Sequence, residues 1–591
     1  MKIRLRCVSV AFVAFVASVP SSRAATSPDP TKQLQEFFNT EWEWSLKESP
    51  GRASNLGDRR YNDRWDDPTL PAIEARHQHR VDALKRLRAI PQEALSANDR
   101  INYEIFEDEL NRAIEAERFR FYLAPLDQRG GPQTADELAS SLRFTTLKDY
   151  EDWLARLQSF PKRLDQIADV MREGIKARIV QPKIVMSRIP AQLDKQIVAK
   201  PEDSGFFKPF RKFPADISAS DQQRLIEGAK QAIADGIVPA FVKFKAFFEK
   251  DYLPACYDGV GLWQHPDGEA AYANRARFYT TTKLTPQQIH DIGLKEVERI
   301  RAEMEKIKEK VGFKGTLAEF FGFLRTDPKF FYPTGEALLQ AYRAMSRETD
   351  PLLVKIFKTL PRMPYGVEPI PALIAPDTTT AYYSGPAADG SRAGRYFVNL
   401  YKPETRPKWE MRALSLHESV PGHHLQIALA QEQGNQPNFR RYGGYTAYVE
   451  GWGLYSESLG NEMGLYEDPY EKFGELTYDM WRAIRLVVDT GMHAMKWDRQ
   501  RAIDFFLANA PKTELDVTNE IDRYIAWPGQ ALAYKIGQLK IKELRARATA
   551  ALGQKFDLRE WHDHLLACGA VPLEVLEKRM DAWVAAQLAK K

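Results

Sequence analysis

Residues 285–307 read TPQQIHDIGLKEVERIRAEMEKI, and the spacing of their apolar members decides the fold class. Ile289, Ile292, Val297, Ile300, Met304 and Ile307 recur at steps of three to five, which makes one stripe along a helix. The start is signalled as clearly. Thr285 stands as N-cap, Pro286 at the first helical position, and Gln288 where a capping box closes. Similar patterns cover about 31–48, 98–118, 147–175, 217–250, 409–432, 468–507, 529–550 and 571–588, so a mainly α protein is expected.

Strand-like sequence is scarce. Arg395 to Tyr401 is rich in aromatic and β-branched residues. It follows a loop holding Gly385, Gly390 and Gly394, and before that the short run Ala381-Tyr382-Tyr383. A hairpin or small sheet is predicted there. With no repeat, low-complexity tract or flexible linker, residues 25–591 read as one large helical domain, for which two lobes about a deep cleft is one arrangement.

The N-terminus has the layout of a signal peptide over residues 1–24. Lys2, Arg4 and Arg6 precede an apolar run from Val8 to Val19, and Ser22-Arg23-Ala24 approximates a cleavage site. About a dozen apolar residues are too few to span a bilayer as a helix. Cys7 lies too early, within the basic region, to be a lipid-anchoring cysteine. The mature protein is expected to be exported, periplasmic or secreted, with no stable membrane insertion. Removing four basic residues takes the formal charge from +4 to about zero, which leaves no bulk attraction for nucleic acid. Only Cys256 and Cys568 remain, without a Cys-x-x-Cys, so any metal must rest on histidines and carboxylates.

The segment that carries chemistry is His417-Glu418-Ser419-Val420-Pro421-Gly422-His423-His424. Zinc hydrolases commonly place His-Glu-x-x-His on one helix, where four residues turn about 400° and both imidazoles share a face. Here the fourth position is Pro421. His423, at six residues, falls about 120° off the face of His417 on a regular helix. His424 restores the face but sits about 10.5 Å along the axis. Pro421 lacks an N–H and crowds the preceding turn, and Gly422 tolerates unusual angles, so a bulge is expected. A bulge taking up two residues would bring His423 into the ligand position, which ranks it ahead of His424. Glu450, in an apolar and aromatic helical stretch, is the expected third ligand, because a buried unpaired carboxylate is costly. Glu457, seven residues on, shares its face and could orient a ligating histidine.

The string His-Glu-Ser-Val-Pro-Gly-His-His-Leu-Gln at 417–426, with Glu-Gly-Trp-Gly-Leu-Tyr-Ser-Glu at 450–457, resembles the bacterial family catalogued as domain of unknown function 885. That family looks like a group of secreted zinc peptidases, similar in fold to thimet oligopeptidase, angiotensin-converting enzyme and Taq carboxypeptidase. The resemblance extends over nearly all the mature chain, through Tyr279 to Pro286, Tyr382 to Tyr401, Asp489 to His493 and Arg523 to Lys535. It implies His423 as ligand, since the related peptidases carry His-Glu-x-Gly-His. It also implies an oxyanion-stabilising tyrosine, Tyr534 ahead of Tyr524, and substrate contacts from Tyr383, Arg523 and Tyr524. His493 reads as a structural histidine.

The resulting expectation is a zinc metallopeptidase with one Zn2+ per chain held by His417, His423 and Glu450. Glu418 is its general base, Tyr534 assists, and an exported peptide is its substrate. Two rivals stand beside it: a zinc amide or ester hydrolase of a non-peptide substrate, and a non-catalytic exported binding protein with a degenerate metal site. The sequence contains no Gly-x-Ser-x-Gly, Gly-x-x-x-x-Gly-Lys or Gly-x-Gly-x-x-Gly, the signals of other enzyme classes.

Overall fold

A computed structural model describes residues 29–590 except 373, 374, 376–378, 389 and 391. The signal-peptide segment 1–24 lies outside the described residues. Helix accounts for 71% of the structure, so the chain is mainly α as its periodicity predicts.

The helices that build the site are α1 (Pro286–Lys310), α2 (Lys408–Glu418), α3 (His423–Gln431), α4 (Thr446–Ser458), α5 (Pro469–Ala494), α6 (Glu514–Ala526) and α7 (Ala533–Leu552). α1 begins as expected. The Thr285 hydroxyl accepts from the Gln288 N–H at 3.2 Å, and the Thr285 N–H donates to the Gln288 side chain at 2.9 Å. Its buried face, Ile289, Val297, Ile300 and Met304, packs along α5.

α5 is the central helix. Every residue from Phe473 to His493 is buried, so its charged side chains must find partners inside the protein. The predicted 468–507 helix is in fact two, α5 and Arg499–Asn509. Lys496 turns left-handed at φ 58°, and Asp498 caps a fresh start by accepting from the Arg501 N–H. Between 219 and 255 the expected helix is continuous but includes two π-helical turns, Ala232–Ile237 and Phe248–Tyr252.

Three strands form the one sheet among the described residues: β1 (Tyr365–Pro369), β2 (Ala381–Ser384) and β3 (Gly394–Val398), in the order β1-β3-β2. β2 and β3 pair antiparallel with Tyr383 opposite Tyr396, and β1 joins β3 in parallel. β1 is not predicted because Gly366 and Pro369 dilute its strand signal. β3 ends at Val398, short of the expected Tyr401, where the Asn399 side chain turns to bond the Ala375 carbonyl. β2 is an edge strand and packs on α2.

The buried apolar side chains fall into two large clusters, and α2 serves both. Trp409, Met411, Ala413 and Leu414 join one, and Leu416 joins the other. α2 is thus fixed from several sides, by α4, α5 and β2.

α4 and α7 touch backbone to backbone. A Cβ on Gly451 would lie 2.5 Å from the Gly537 Cα, and one on Gly537 would lie 1.9 Å from the Ala447 carbonyl oxygen. Gly451→Ala is therefore expected to lower stability by about 1–2 kcal/mol, since overpacking outweighs the helix-propensity gain of about 1 kcal/mol. Urea denaturation checks this, and an unchanged midpoint would mean that the two helices part freely.

Candidate metal centre

Two site residues sit at the C-terminal end of α2: His417 in its last turn and Glu418 as its last residue. There the helix stops. Ser419 (ψ −112°) and Gly422 (ψ −126°) leave helical angles, and α3 starts at His423. The single bulged helix expected over 409–432 is therefore two helices joined by residues 419–422. Pro421 has no N–H to continue the ladder. A Cβ at position 422 would lie 1.9 Å from the His417 carbonyl oxygen, so only glycine fits. The connection is held in place. The Ser419 hydroxyl donates to the Ser415 carbonyl at 2.6 Å, and the Trp452 indole of α4 donates to the Pro421 carbonyl at 2.8 Å.

This break turns His423 toward His417. Their rings meet edge to face, centroids 4.6 Å apart at 86°. Glu450 on α4 faces both, its Oε2 lying 3.5 Å from the Nε2 of His417 and 3.5 Å from that of His423. One potential ligand atom from each of the three lies within 4.8 Å of the others, the one such grouping among the described residues.

Two turns further along α4, the buried Glu457 accepts from His417 Nδ1 at 2.7 Å. Its other neighbour is Arg482 of α5, at 3.4 Å. That hydrogen bond puts the proton of a neutral His417 on Nδ1 and leaves Nε2 as a lone pair aimed at the cluster. Gly453 makes room for the ring, because a Cβ there would approach within 2.8 Å of His417 Nε2.

His424 stands apart from the cluster, which corrects its standing as an alternative ligand. Its Nδ1 meets the Tyr383 hydroxyl at 2.8 Å and its Nε2 the Met363 carbonyl at 2.9 Å, so neither nitrogen is spare. Burial lowers its pKa to about 4, which keeps it neutral.

The electrostatics ask for positive charge at the cluster. Burial alone would depress the pKa of His417, yet hydrogen bonds with Glu450 and Glu457, and the charges of Glu457 and Glu418, lift it to about 10. Burial would likewise raise Glu450, but the two imidazoles hold it well below the usual carboxylate range. A proton or a metal cation answers the same demand.

The cluster forms part of the wall of a cavity of about 260 Å³, which Glu418 and Thr379 to Tyr383, on and leading into β2, also line. Tyr534, from the first turn of α7, stacks 6.5 Å from the His417 ring. Its hydroxyl accepts from Arg523 of α6 at 3.2 Å. Tyr383 and Arg523 also line the cavity, but Tyr524 does not. Its hydroxyl is buried behind the wall, accepting from Arg485 at 2.7 Å and Trp481 at 3.0 Å, so it positions Arg485 and cannot itself touch a ligand. His493 is remote and fully engaged. Its Nδ1 accepts from the Leu262 N–H and its Nε2 reaches the Tyr524 carbonyl, each at 3.0 Å.

Sequence reading misses Arg482, Arg485, Glu520 and Arg129 on this wall. A signal exists for the first two. In the apolar run 480–488, charges spaced by three residues share one helix face, and a helix buried all round must aim them at something internal.

Fold and site together define a mainly α protein with a His–His–Glu cluster opening on a polar cavity. The chain belongs to the family described as bacterial protein of unknown function (DUF885), which matches residues 50–580. It is similar to a candidate lipoprotein from Colwellia psychrerythraea, with 29% identity and a TM-score of 0.89 over 94% of this chain and 100% of that one. A candidate lipoprotein of unknown function from Shewanella oneidensis shares the fold, with 17% identity and a TM-score of 0.71 over 93% of this chain and 99% of that one. No curated protein matches the chain.

Proposed function

We propose that the protein is a zinc-dependent peptidase acting on exported peptides. One observation carries this reading: His417, His423 and Glu450 converge within 4.8 Å on a cavity wall that also holds Glu418. The donor set fits zinc. It offers two imidazoles and one carboxylate, with the His417 tautomer set by Glu457. A structural zinc site is closed by four protein ligands, whereas three ligands beside a cavity suit a catalytic one.

Zinc, when bound there, supplies Lewis-acid polarisation of a carbonyl and of a water molecule. Glu418 then takes a proton from the attacking water and passes it to the leaving amine. Tyr534 donates its hydroxyl hydrogen to the developing oxyanion, and Arg523, bonded to that hydroxyl, orients it. The edge strand β2 offers backbone groups to which an extended peptide can pair as an added strand. That edge favours a peptide over a compact amide or ester. Description of the Colwellia neighbour as a candidate lipoprotein supports an exported location. Among the described residues no helix is long and apolar enough to cross a membrane.

Elemental analysis tests the reading. Wild type is expected to carry one zinc per chain, His423→Ala to lose it and His424→Ala to keep it. A metal-free wild type, or zinc retained without His423, would remove the proposed centre. Digestion of a mixed peptide library, followed by mass spectrometry, then separates a peptidase from a hydrolase of non-peptide amides or esters.

A further inference from the structure

The cavity has a second charged end, which the hydrolytic steps do not use. Beyond Tyr534, its wall carries Arg485, Arg523 and Arg129 against one carboxylate, Glu520. Arg485 is held rigidly. Its Nε donates to the Tyr524 hydroxyl at 2.7 Å and its Nη2 to Glu520 at 3.1 Å, and its side chain is 5% exposed. Arg523 donates to Gln530 at 3.0 Å and Tyr534 at 3.2 Å, and lies 3.6 Å from Glu520. Arg129 is more open and rests over the Trp527 ring.

Two buried nitrogens in this group, Arg485 Nη1 and Arg523 Nε, have no hydrogen-bond partner. Even with Asp127 set against Arg129, which feels its charge, three guanidinium groups face two carboxylates. Buried cations that exceed their partners are costly unless a ligand brings the missing negative charge. A planar fork of N–H donors is matched best by a carboxylate or phosphate.

Position narrows the choice. Tyr534 bridges the two ends, its ring beside His417 and its hydroxyl on Arg523, with the Arg485 guanidinium 4.4 Å from the centre of that ring. One aromatic side chain therefore separates the metal cluster from the arginines. A residue of extended chain spans about 3.3–3.6 Å, so a scissile carbonyl at the cluster puts the next one or two residues at the arginines.

Building on the peptidase reading, we propose that Arg485 and Arg523, aided by Arg129, bind the C-terminal α-carboxylate of the substrate. The enzyme then releases short fragments from C-termini. An acidic side chain near the cut carries the same chemistry, and a probe amidated at its C-terminus but ending in glutamate separates the two.

Calorimetric titration of Glu418→Gln protein as purified, which binds without turnover, tests the proposal. The probes are N-acetyl-tetra-alanine with a free C-terminus, its C-terminal amide, and the amide with glutamate in the last position. The free acid is expected to bind about 10- to 100-fold more tightly than either amide. Arg523→Gln and, separately, the more exposed Arg129→Gln should shrink that ratio, so the result does not hang on one variant that misfolds. Equal binding of acid and simple amide overturns the proposal and leaves the peptidase reading standing, provided wild type still cleaves them. Tight binding of the glutamate amide also overturns it, in favour of side-chain recognition. If none of the three binds and wild type cleaves none, both readings fall.

Discussion

If the protein is the zinc peptidase proposed above, Glu418→Gln protein is expected to keep its zinc and its fold and to lose on the order of 10³-fold in kcat on peptides. The size follows from what changes. Glu418 lies outside the converging trio of side chains, so the isosteric amide leaves the ligand set intact. It ends α2 next to His417 and lines the cavity, where a glutamine still accepts a hydrogen bond but cannot carry a proton. Zinc content by elemental analysis and kcat measured on the same preparation decide the matter. Activity within tenfold of wild type would place the base elsewhere.

The second large effect falls on metal affinity. Glu457→Gln is expected to weaken zinc binding by about 10- to 100-fold without unfolding the protein. Glu457 is not among the residues lining the site's cavity, yet its carboxylate grips His417 Nδ1 at 2.7 Å. A glutamine oxygen accepts the same hydrogen bond, so the ring keeps its orientation. What is lost is the negative charge that makes the imidazole a stronger donor, and its removal also leaves Arg482 short of a counterion. Competition with a chromogenic chelator measures the affinity, and a thermal melt reports the fold. Unchanged affinity would reduce Glu457 to a packing role.

What the amino-acid sequence reveals of this protein, and what it hides, follows the range of the interactions. The helices are legible because their causes are local. The capping box of Thr285 and Gln288 lies within four residues, and the stripe it starts repeats every turn. The break after α5 escapes the periodicity although Asp498 is a competent N-cap, because the apolar pattern continues through it. In the site, scarcity and spacing single out His417, Glu418, His423, Glu450 and Glu457. The choice between His423 and His424 needs the groups that occupy His424, namely Tyr383 on β2 and the Met363 carbonyl. Those contacts join segments that no periodicity links. The arginine end is harder still, since Arg129, Arg485, Glu520 and Arg523 come from three separate stretches and meet only in the folded chain.

The interruption at 419–422 has an evolutionary implication. On an unbroken helix, the offset between two ligating residues is quantised, because each must return to one face. Splitting the helix frees that offset: the connector sets how the second imidazole approaches, and small changes in its length or composition could retune coordination while both flanking helices stay packed. A fixed His-Glu-x-x-His register is thus not the only spacing that brings two imidazoles and a carboxylate together.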